Sequence, residues 1–537
     1  MPRARTDPRG GRVALAALAG LTLAACTSGP QDAPPADPDR PAAESRRPLP
    51  DVPRGQQPVR DPVRSDRPLG GPAARPVNVA APERPNLLMI TLDDAALGDM
   101  RYLPRLQRLM GEQGVTLTNS LAPTPICVPA RASLLTGQYA HNHGALTISG
   151  EGGGIGAFDD ADTLPVWLQD AGYDTLFVGK YLNGYGEGRW RDYVPPGWTD
   201  WRATVDPTTY NFVQPTLNEN GVLRTYEEYS TDLFGRLSSQ LLEDPERQDD
   251  PWYLWVNYVA PHHGGPDAPD DPSMVYPEDP KPVSTTTPAP EDENDFDWLD
   301  LPDSPAMFER DVSDKVIIRQ TRRAWPSERR AQLREAYQQR IESLQAVDRA
   351  IAGTIRTLRA TGQLERTYVV VASDNGYVLG EHNLTGKLWH YRDIVGIPTL
   401  VRGPGLTAGE RSAAPVTNAD WAPTFARLAG ARPTREVDGV DALPWLLSDA
   451  TTRVVPLEAY PVAGGRDPLY TGVAVGPWTF VRAANGREEL YYRRVDPYQL
   501  TNLRRDPRYT RYARTLRRLS AEVARCAGSD CPSDFLR

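Results

Sequence analysis

The chain has 537 residues, enough for one large domain and a smaller one. Charged residues make up 24% of the chain and hydrophobic residues 39%, an ordinary composition for a globular protein. The formal net charge of -10 excludes the strongly basic character of a nucleic-acid-binding protein, and an anionic substrate would need a local pocket of positive charge.

The N-terminus has the pattern of an export signal. Several arginines precede an apolar run from Val13 to Ala25, which is too short for a membrane span. Residues 23–26, Leu-Ala-Ala-Cys, resemble the bacterial lipobox, whose cysteine becomes the lipidated first residue of the mature protein. This predicts a lipoprotein signal peptide over residues 1–26 and a diacyl anchor at Cys26 that holds an exported protein to the membrane at the bacterial cell surface. The alternative is an ordinary cleaved signal with an incidental cysteine.

The character of the chain changes at residue 85. Residues 27–84 are rich in Pro, Arg, Asp and Ala without a hydrophobic period, which predicts a disordered tether. Beyond them, apolar runs typical of buried parallel strands occur at residues 86–92, 174–178, 253–259 and 368–371. Helical patterns lie between these runs, and the clearest begins near Ser327. The alternation predicts an α/β domain over residues 85–455 with a largely parallel central sheet flanked by helices.

Two later segments depart from this alternation. Residues 267–315 are rich in proline and acidic residues, and we interpret them as an insert near the rim of a site or, equally, as plain disorder. After residue 455, short extended runs flank an Asn485-Gly486 turn, a strong hairpin signal. The sequence therefore predicts a small antiparallel subdomain over residues 456–537.

Polar residues follow each of the four strand-like runs at the point where it ends. They are Asp93-Asp94, Lys180, His262-His263 and Asp374-Asn375. Open α/β sheets bind ligands outside the carboxyl ends of their strands. We therefore expect four separate segments to deliver polar groups to one edge of one sheet.

Three of the four cysteines have predicted structural or anchoring roles. Besides Cys26, these are Cys526 and Cys531, which lie close together and are expected to form a disulfide in an oxidising compartment. Cys127 is then left without a partner. An odd thiol in an exported protein is either buried and inert or used in chemistry.

The surroundings of Cys127 favour chemistry. Residues 127–137 read CVPARASLLTG, in which Pro129 fits the first position of a helix and Gly137 its end. Backbone amides and the dipole at a helix N-terminus favour an anion, and Arg131 lies one turn further on. This pattern indicates a nucleophile beside an anion site, and a structural cysteine is the alternative.

The same segment resembles the signature of type I sulfatases, in the alkaline phosphatase superfamily. The resemblance rests on Cys-x-Pro-x-Arg followed by Leu-x-Thr-Gly, although Ala130 stands where many members have serine. It extends from about residue 85 to about residue 502. It implies an alkaline phosphatase-like fold, oxidation of Cys127 to formylglycine by a formylglycine-generating enzyme, and hydrolysis of sulfate monoesters of a carbohydrate or an aryl alcohol.

The two acidic clusters predict a metal site. Asp93, Asp94, Asp374 and Asn375 offer only oxygen ligands, which suit Ca²⁺ or Mg²⁺ and not zinc. Asp93-Asp94 alone would be interpreted as a solvated turn or a helix cap, and the second cluster at another strand end favours the metal. The resemblance implies one calcium ion, with the oxygen of the modified Cys127 completing its shell.

The resemblance also implies the groups that handle the sulfate. Lys180 in Gly-Lys-Tyr-Leu-Asn and Lys387 in Gly-Lys-Leu-Trp-His-Tyr match two lysines that contact sulfate, and Arg131 is the third cation. One histidine of Ala-Pro-His-His-Gly is implied to bind sulfate and to protonate the leaving alcohol. We choose His262, with His263 as the close alternative.

One position departs from the family pattern. Leu182 stands where many sulfatases have a histidine that contacts the formylglycine hydroxyl, and Asn183 and His143 are the candidate replacements. The Gly-Lys-Tyr-Leu-Asn form and residues 307–315 look like the N-acetylglucosamine-6-sulfatase and heparan endosulfatase branch. Two other functions stay open at this point, a phosphate or phosphonate ester hydrolase and a surface lipoprotein that binds sulfated glycans without cleaving them.

Overall fold

The computed structural model describes residues 74–79, 82–247, 250–268, 271, 285–317 and 327–536. The predicted signal peptide, the lipobox cysteine Cys26 and most of the predicted tether lie outside the described residues. Within these ranges, no helix has the length and apolar character needed to span a membrane.

Strands and helices alternate through most of the described chain. The strands are β1 (Asn86–Leu92), β2 (Val115–Leu117), β3 (Asp174–Gly179), β4 (Asp200–Thr204), β5 (Thr216–Glu219), β6 (Val222–Thr225), β7 (Trp252–Tyr258), β8 (Thr367–Ser373), β9 (Val378–Leu379), β10 (Thr385–Gly386), β11 (Thr399–Arg402), β12 (Glu410–Ser412), β13 (Val454–Ala459), β14 (Tyr470–Val475), β15 (Trp478–Ala483) and β16 (Glu488–Tyr492). The helices are α1 (Pro104–Leu106), α2 (Cys127–Thr136), α3 (Ala140–His143), α4 (Leu164–Asp170), α5 (Ser230–Glu243), α6 (Ser327–Ala360), α7 (Arg392–Val395), α8 (Trp421–Ala429) and α9 (Thr510–Val523).

A ten-stranded sheet forms the centre of the molecule, in the order β12-β2-β11-β8-β1-β7-β3-β4-β5-β6. Its middle strands β8, β1, β7, β3 and β4 are parallel, and antiparallel pairs flank them on both sides. The prediction of an α/β fold with a largely parallel core is therefore confirmed, with a sheet that is mixed overall.

Both faces of this sheet are covered, which explains the continuous apolar runs in the sequence. Along β1, Leu87 and Met89 enter one hydrophobic cluster and Leu88 and Ile90 enter another, as the two-residue period of a strand requires. Helices α2, α4 and α8 contribute to the first cluster, and α5 and α6 to the second. Helix α6 spans Ser327–Ala360 among the described residues, in the region where the sequence predicts a helix.

A separate four-stranded antiparallel sheet, β13-β14-β15-β16, forms the predicted C-terminal subdomain. The predicted Asn485-Gly486 turn joins β15 to β16, with Gly486 at a φ of 79°. Helix α9 packs on this sheet through Leu516 and Val523. The expected disulfide between Cys526 and Cys531 follows α9 and is confirmed.

Two segments that were expected to be irregular contact the folded domain. Within the predicted tether, Ala74 is buried and its N–H donates to the carbonyl of Phe535 at 3.1 Å. In the acidic insert, the Thr285 carbonyl accepts from the Gly264 N–H at 2.9 Å, and the Thr286 hydroxyl donates to the Pro261 carbonyl at 2.9 Å. The described part of the insert is therefore ordered, and it packs beside the predicted histidines.

Arg453, directly before β13, joins the small sheet to the large domain through a buried ion pair with Asp420, at 2.7 Å between Nη1 and Oδ2. Replacing Arg453 with leucine leaves Asp420 buried without its partner, so the free energy of unfolding should fall by about 3–5 kcal/mol. The exposed Arg427 pairs with Asp441, and the control Arg427→Leu should cost less than about 1 kcal/mol. Equal losses in chemical denaturation would contradict this role for Arg453.

Candidate active site

The parallel register places the ends of four strands side by side. Leu92 pairs with Tyr258 on one side and with Ser373 on the other, and Gly179 pairs with Asn257. The segments leaving β1, β3, β7 and β8 therefore start at one edge of the sheet, as expected. They carry the buried residues Asp93, Asp94, Lys180, His262, Asp374 and Asn375.

Helix α2 begins at Cys127 and brings it to this edge. Ile126 is extended, with φ -155° and ψ 146°, and Gly137 closes the helix in the left-handed conformation at φ 69°. The expected helix end is therefore confirmed, whereas the expected position of Pro129 is wrong, because the helix starts two residues earlier. Pro129 still lies in the first turn, where its missing N–H costs no hydrogen bond.

Cys127 is buried and contacts two of the predicted site residues. The Lys387 amine donates to its Sγ at 2.8 Å, and its thiol lies 3.4 Å from Asp93 Oδ1. Burial, with the charge of Asp93, raises the pKa of the thiol to about 12. The unmodified cysteine is therefore a neutral thiol at this position, which is a weak nucleophile.

Three buried carboxylates in the cluster each have a cationic partner. The pairs are Lys180 with Asp93, Lys387 with Asp94, and Arg131 with Asp374, the last at 3.0 Å between Nε and Oδ2. Burial alone would raise the pKa of Asp93, but Lys180, His262 and Arg131 hold that pKa well below its usual range. Three negative groups thus face three positive ones, so a divalent cation added here would leave positive charge that attracts an anion.

Arg131 is a central connection within the cluster. Its Nη1 donates to the carbonyl of Lys180 at 2.9 Å and to Asn257 Oδ1 at 3.0 Å, while its Nη2 lies 3.8 Å from Asp93 Oδ2. Asn257 on β7 was not predicted from sequence, since it lies inside an apolar strand. The guanidinium therefore ties the nucleophile helix to two of the strands.

The two adjacent histidines differ in their surroundings. His262 is buried, and its Nε2 lies 3.6 Å from Asp94 Oδ2. Its Nδ1 lies 2.7 Å from the carbonyl of His263, which accepts an Nδ1–H. Burial and the neighbouring His263 lower the pKa of His262 well below its usual value, and an anion bound nearby would favour the charged imidazolium. His263 is exposed, and its ring centre lies 4.0 Å from that of His262.

The two candidates for the function of the missing histidine lie in different places. His143 contacts Ser133 of α2, with 3.3 Å between Nε2 and Oγ, so it supports the helix. Burial lowers the pKa of His143 to about 3. Asn183 donates to the hydroxyl of Tyr210 at 2.9 Å. Tyr210 in turn packs on the ring of His262. It lies in a 3-10 turn over residues 208–210, where no sequence pattern singled it out.

The oxygen-rich part of the cluster has the chemistry of a calcium or magnesium site. Carboxylate oxygens of Asp93, Asp94 and Asp374 all lie within 4.8 Å of one another. Asp94 Oδ2 and Asn375 Oδ1 are buried without a hydrogen-bond partner. Such oxygens need a donor or a cation. The residues present therefore fit a hard divalent cation.

The fold and this site define an α/β protein with a cluster of buried charged residues at its strand ends, and comparison with known proteins identifies the family. The family described as Sulfatase matches residues 85–431. The chain belongs to the sulfatase family and is a sulfuric ester hydrolase.

Named relatives agree with this assignment. The arylsulfatase of Volvox carteri is 29% identical over 85% of this chain and 77% of its own length. The N-acetylglucosamine-6-sulfatase of Capra hircus is 31% identical, and the match covers 68% of this chain and 64% of that relative. Among solved structures, BT4656 in complex with its substrate D-glucosamine-2-N,6-O-disulfate superposes with a TM-score of 0.67 at 20% identity, covering 82% of this chain and 97% of that one. This structural likeness shows the shared fold.

Calcium should stabilise the protein through the oxygen cluster. At a hundredfold excess over its dissociation constant, a ligand that binds only the folded state adds about 2.7 kcal/mol. We expect calcium to raise the thermal midpoint of the wild type and of the control Asp292→Asn, and to leave Asn375→Leu unchanged. Differential scanning calorimetry with and without chelator measures this. A wild type that responds to zinc and not to calcium would contradict the assignment.

Proposed function

We propose that this chain hydrolyses sulfate monoesters of carbohydrates, and accepts aryl sulfates, through a formylglycine formed from Cys127 and with one bound calcium ion. The observation that carries the proposal is the position of Cys127 at the start of α2. There its Sγ lies 2.8 Å from Lys387 Nζ and 3.4 Å from a carboxylate of the oxygen cluster. The proposed nucleophile therefore lies beside a cation and beside the proposed metal site.

The buried thiol itself argues for modification. A thiol with a pKa of about 12 supplies almost no thiolate at neutral pH. Formylglycine would supply, after addition of water to its aldehyde, two hydroxyls on one carbon: a nucleophile for sulfur, and a second hydroxyl whose loss of a proton would expel the sulfate and restore the aldehyde. A formylglycine-generating enzyme is then a required partner during maturation.

The metal would be held by Asp93, Asp94, Asp374 and Asn375, with the oxygen of residue 127. When bound, calcium would withdraw charge from an attacking hydroxyl and from a sulfate oxygen. The support is the set of buried oxygens without a hydrogen-bond partner, Asp94 Oδ2 and Asn375 Oδ1. Asp93, Asp94, Asp374 and Asn375 offer only oxygen ligands, which do not favour zinc. Cys127 and His262 also approach Asp93, with the three ligand atoms within 4.8 Å of one another, and conversion of Cys127 to formylglycine would remove the sulfur from that group.

Three cations of this chain would bind the sulfuryl group. Arg131 lies on the nucleophile helix, Lys387 contacts Cys127, and Lys180 pairs with Asp93 beside it. Each of these cations is held in place by a carboxylate. Such fixed charges stabilise the negative charge that develops on the sulfuryl oxygens and cost little reorganisation during the reaction. Lys387 is the least buried of the three, with 13% of its side chain exposed.

His262 would protonate the departing alcohol. Its Nδ1–H is held by the carbonyl of His263, which leaves Nε2 directed toward the cluster, 3.6 Å from Asp94 Oδ2. The exposed His263 has no comparable position, and for this reason we assign the acid to His262.

Sulfated sugars are the proposed substrate class. The support is the Gly-Lys-Tyr-Leu-Asn sequence around Lys180 and the likeness to the goat N-acetylglucosamine-6-sulfatase. We further propose that the protein is exported and anchored to the bacterial surface through a lipid on Cys26, which would place the enzyme where external glycans are met.

Replacing Cys127 with serine removes the second hydroxyl that would expel the sulfate. We expect this variant to retain a sulfate ester on residue 127 after at most one turnover, seen by intact-protein mass spectrometry. Cys127→Ala is the matched control and should gain no mass. Steady turnover by Cys127→Ser would contradict the mechanism.

Reaction class is tested with the wild-type protein. An aryl sulfate should be hydrolysed at least about tenfold faster than the matching aryl phosphate, because the extra charge of the phosphate dianion favours more metal ions than the one for which the oxygen cluster offers ligands. It should also be hydrolysed faster than the matching aryl phosphonate monoester. Mass spectrometry of the peptide that contains residue 127 should show the lighter formylglycine form. Preference for the phosphonate would favour the alternative hydrolase.

A further inference from the structure

Tyr210 contacts two residues of the active site, His262 and Asn183, and lies close to a third, Lys180. It lies between β4 and β5, in the 3-10 turn over residues 208–210. One face of its ring meets His262, and its hydroxyl meets Asn183 and approaches Lys180. These contacts are independent of one another and converge on a single residue.

The ring of Tyr210 restricts the imidazole of His262. The two rings are stacked, with their centres 4.6 Å apart and their planes 30° from parallel. The imidazole is also held at Nδ1 by the carbonyl of His263 at 2.7 Å. A ring fixed at one edge and covered on one face keeps its other nitrogen, Nε2, in a defined direction. An acid must hold this direction to deliver its proton.

The hydroxyl of Tyr210 approaches the lysine that follows β3. Lys180 Nζ lies 4.8 Å from the ring centre, within the range of a cation–π contact. The Asn183 amide donates to the hydroxyl oxygen at 2.9 Å, so this oxygen has a fixed orientation. Burial raises the pKa of Tyr210 to about 12, so the hydroxyl stays protonated and remains both a donor and an acceptor.

The backbone fixes Tyr210 to the histidine segment as well. The Gly265 N–H donates to the carbonyl of Tyr210 at 2.9 Å, and the Phe212 N–H donates to the carbonyl of Gly265 at 2.8 Å. A Cβ on Gly264 would lie 2.4 Å from the Tyr210 carbonyl oxygen, so only glycine allows this approach. These contacts hold the turn that contains Tyr210 at a fixed distance from the histidine segment.

We propose that Tyr210 is a positioning residue, which aims His262 at the leaving alcohol and Lys180 at the sulfuryl group. The inference rests on the proposed sulfatase function and deepens it. Tyr210 itself gives up no proton; it acts through the two residues that it contacts.

The chemistry of the departing group provides a specific readout. When the sulfur–oxygen bond breaks, its electron pair goes to the alcohol oxygen, and the proton on His262 Nε2 moves to that oxygen. A sugar alcohol is a poor leaving group and needs this proton, whereas 4-nitrophenolate is stable without it. A variant that misplaces His262 therefore slows the sugar substrate more than the aryl substrate.

The test compares kcat/KM for glucosamine 6-sulfate and for 4-nitrophenyl sulfate, using full-length protein carrying formylglycine and calcium. General acid catalysis contributes roughly 10²–10⁴-fold. We expect Tyr210→Leu to lose about three- to tenfold on the aryl sulfate, from the missing hydroxyl near Lys180, and about ten- to hundredfold more than that on the sugar sulfate, from the misplaced His262. His262→Ala should show the same selective loss, and the double variant should lose little more than either single variant.

The hydroxyl is tested separately from the ring. Tyr210→Phe keeps the stacked ring, so it should keep the wild-type preference between the two substrates. It should weaken inhibition by inorganic sulfate by about three- to tenfold, which corresponds to the loss of one hydrogen bond near Lys180. Asn183→Ala should have the same effect, because it removes the amide that orients the hydroxyl.

Tyr226→Leu is the matched control, since Tyr226 is a partly buried tyrosine that packs against the same cluster and bonds to Glu219 outside the site. The Tyr226→Leu variant should have a lower thermal stability, and its kcat/KM should change by the same factor for both substrates. Equal losses on both substrates for Tyr210→Leu, with unchanged sulfate inhibition for Tyr210→Phe, would overturn the inference and leave the sulfatase function standing. A wild type inactive on both sulfates would overturn the proposed function and, with it, the inference.

Discussion

The pairing of three buried carboxylates with three cations is the interaction on which the rest of the site depends. Ionised carboxylates cannot be withdrawn from water unless they are paired or bind a metal. Asp93, Asp94 and Asp374 are fully buried, and Lys180, Lys387 and Arg131 neutralise them. Each pair joins segments that are distant in the chain, so the charges also hold the strand ends and the nucleophile helix together. The groups that would bind an anion are thus the ones that keep the fold at this edge closed.

Much of this site could be predicted from the sequence, because strand ends in a parallel sheet lie at one edge whatever the details of the helices. Asp374 and Lys180 needed only the end of an apolar run to be located. Tyr210 could not be found in this way, since its segment has no period and its importance arises from a tertiary contact with His262. The sequence places the start of α2 at Pro129, two residues too late, for a related reason. The local sequence is compatible with several starting residues, and the start at Cys127 depends on the buried surroundings of that residue in the folded protein.

The C-terminal subdomain has a structural connection to the chemistry, although it lies outside the matched family region. The hydroxyl of Tyr470 on β14 donates to the carbonyl of Leu388 at 2.9 Å, and Glu489 on β16 contacts His390 at 2.9 Å. The Leu388 N–H donates to the carbonyl of Pro125 at 3.0 Å. The loop that carries the adjacent lysine is therefore held between the small sheet and the segment that leads into α2. The small antiparallel sheet is separate from the ten-stranded sheet in topology, but it contacts the loop that carries this lysine of the site.

The burial of Cys127, with 2% of its surface exposed, bears on the order of events in the life of the chain. Every residue of α2 is buried, and no external catalyst could reach the thiol once the sheet and its helices have closed around it. Maturation of this residue would have to precede folding, while residues 127–137 are still extended. Under the proposed function, a chain that folds before oxidation would keep an unmodified thiol, so the yield of active protein would depend on the relative rates of oxidation and folding.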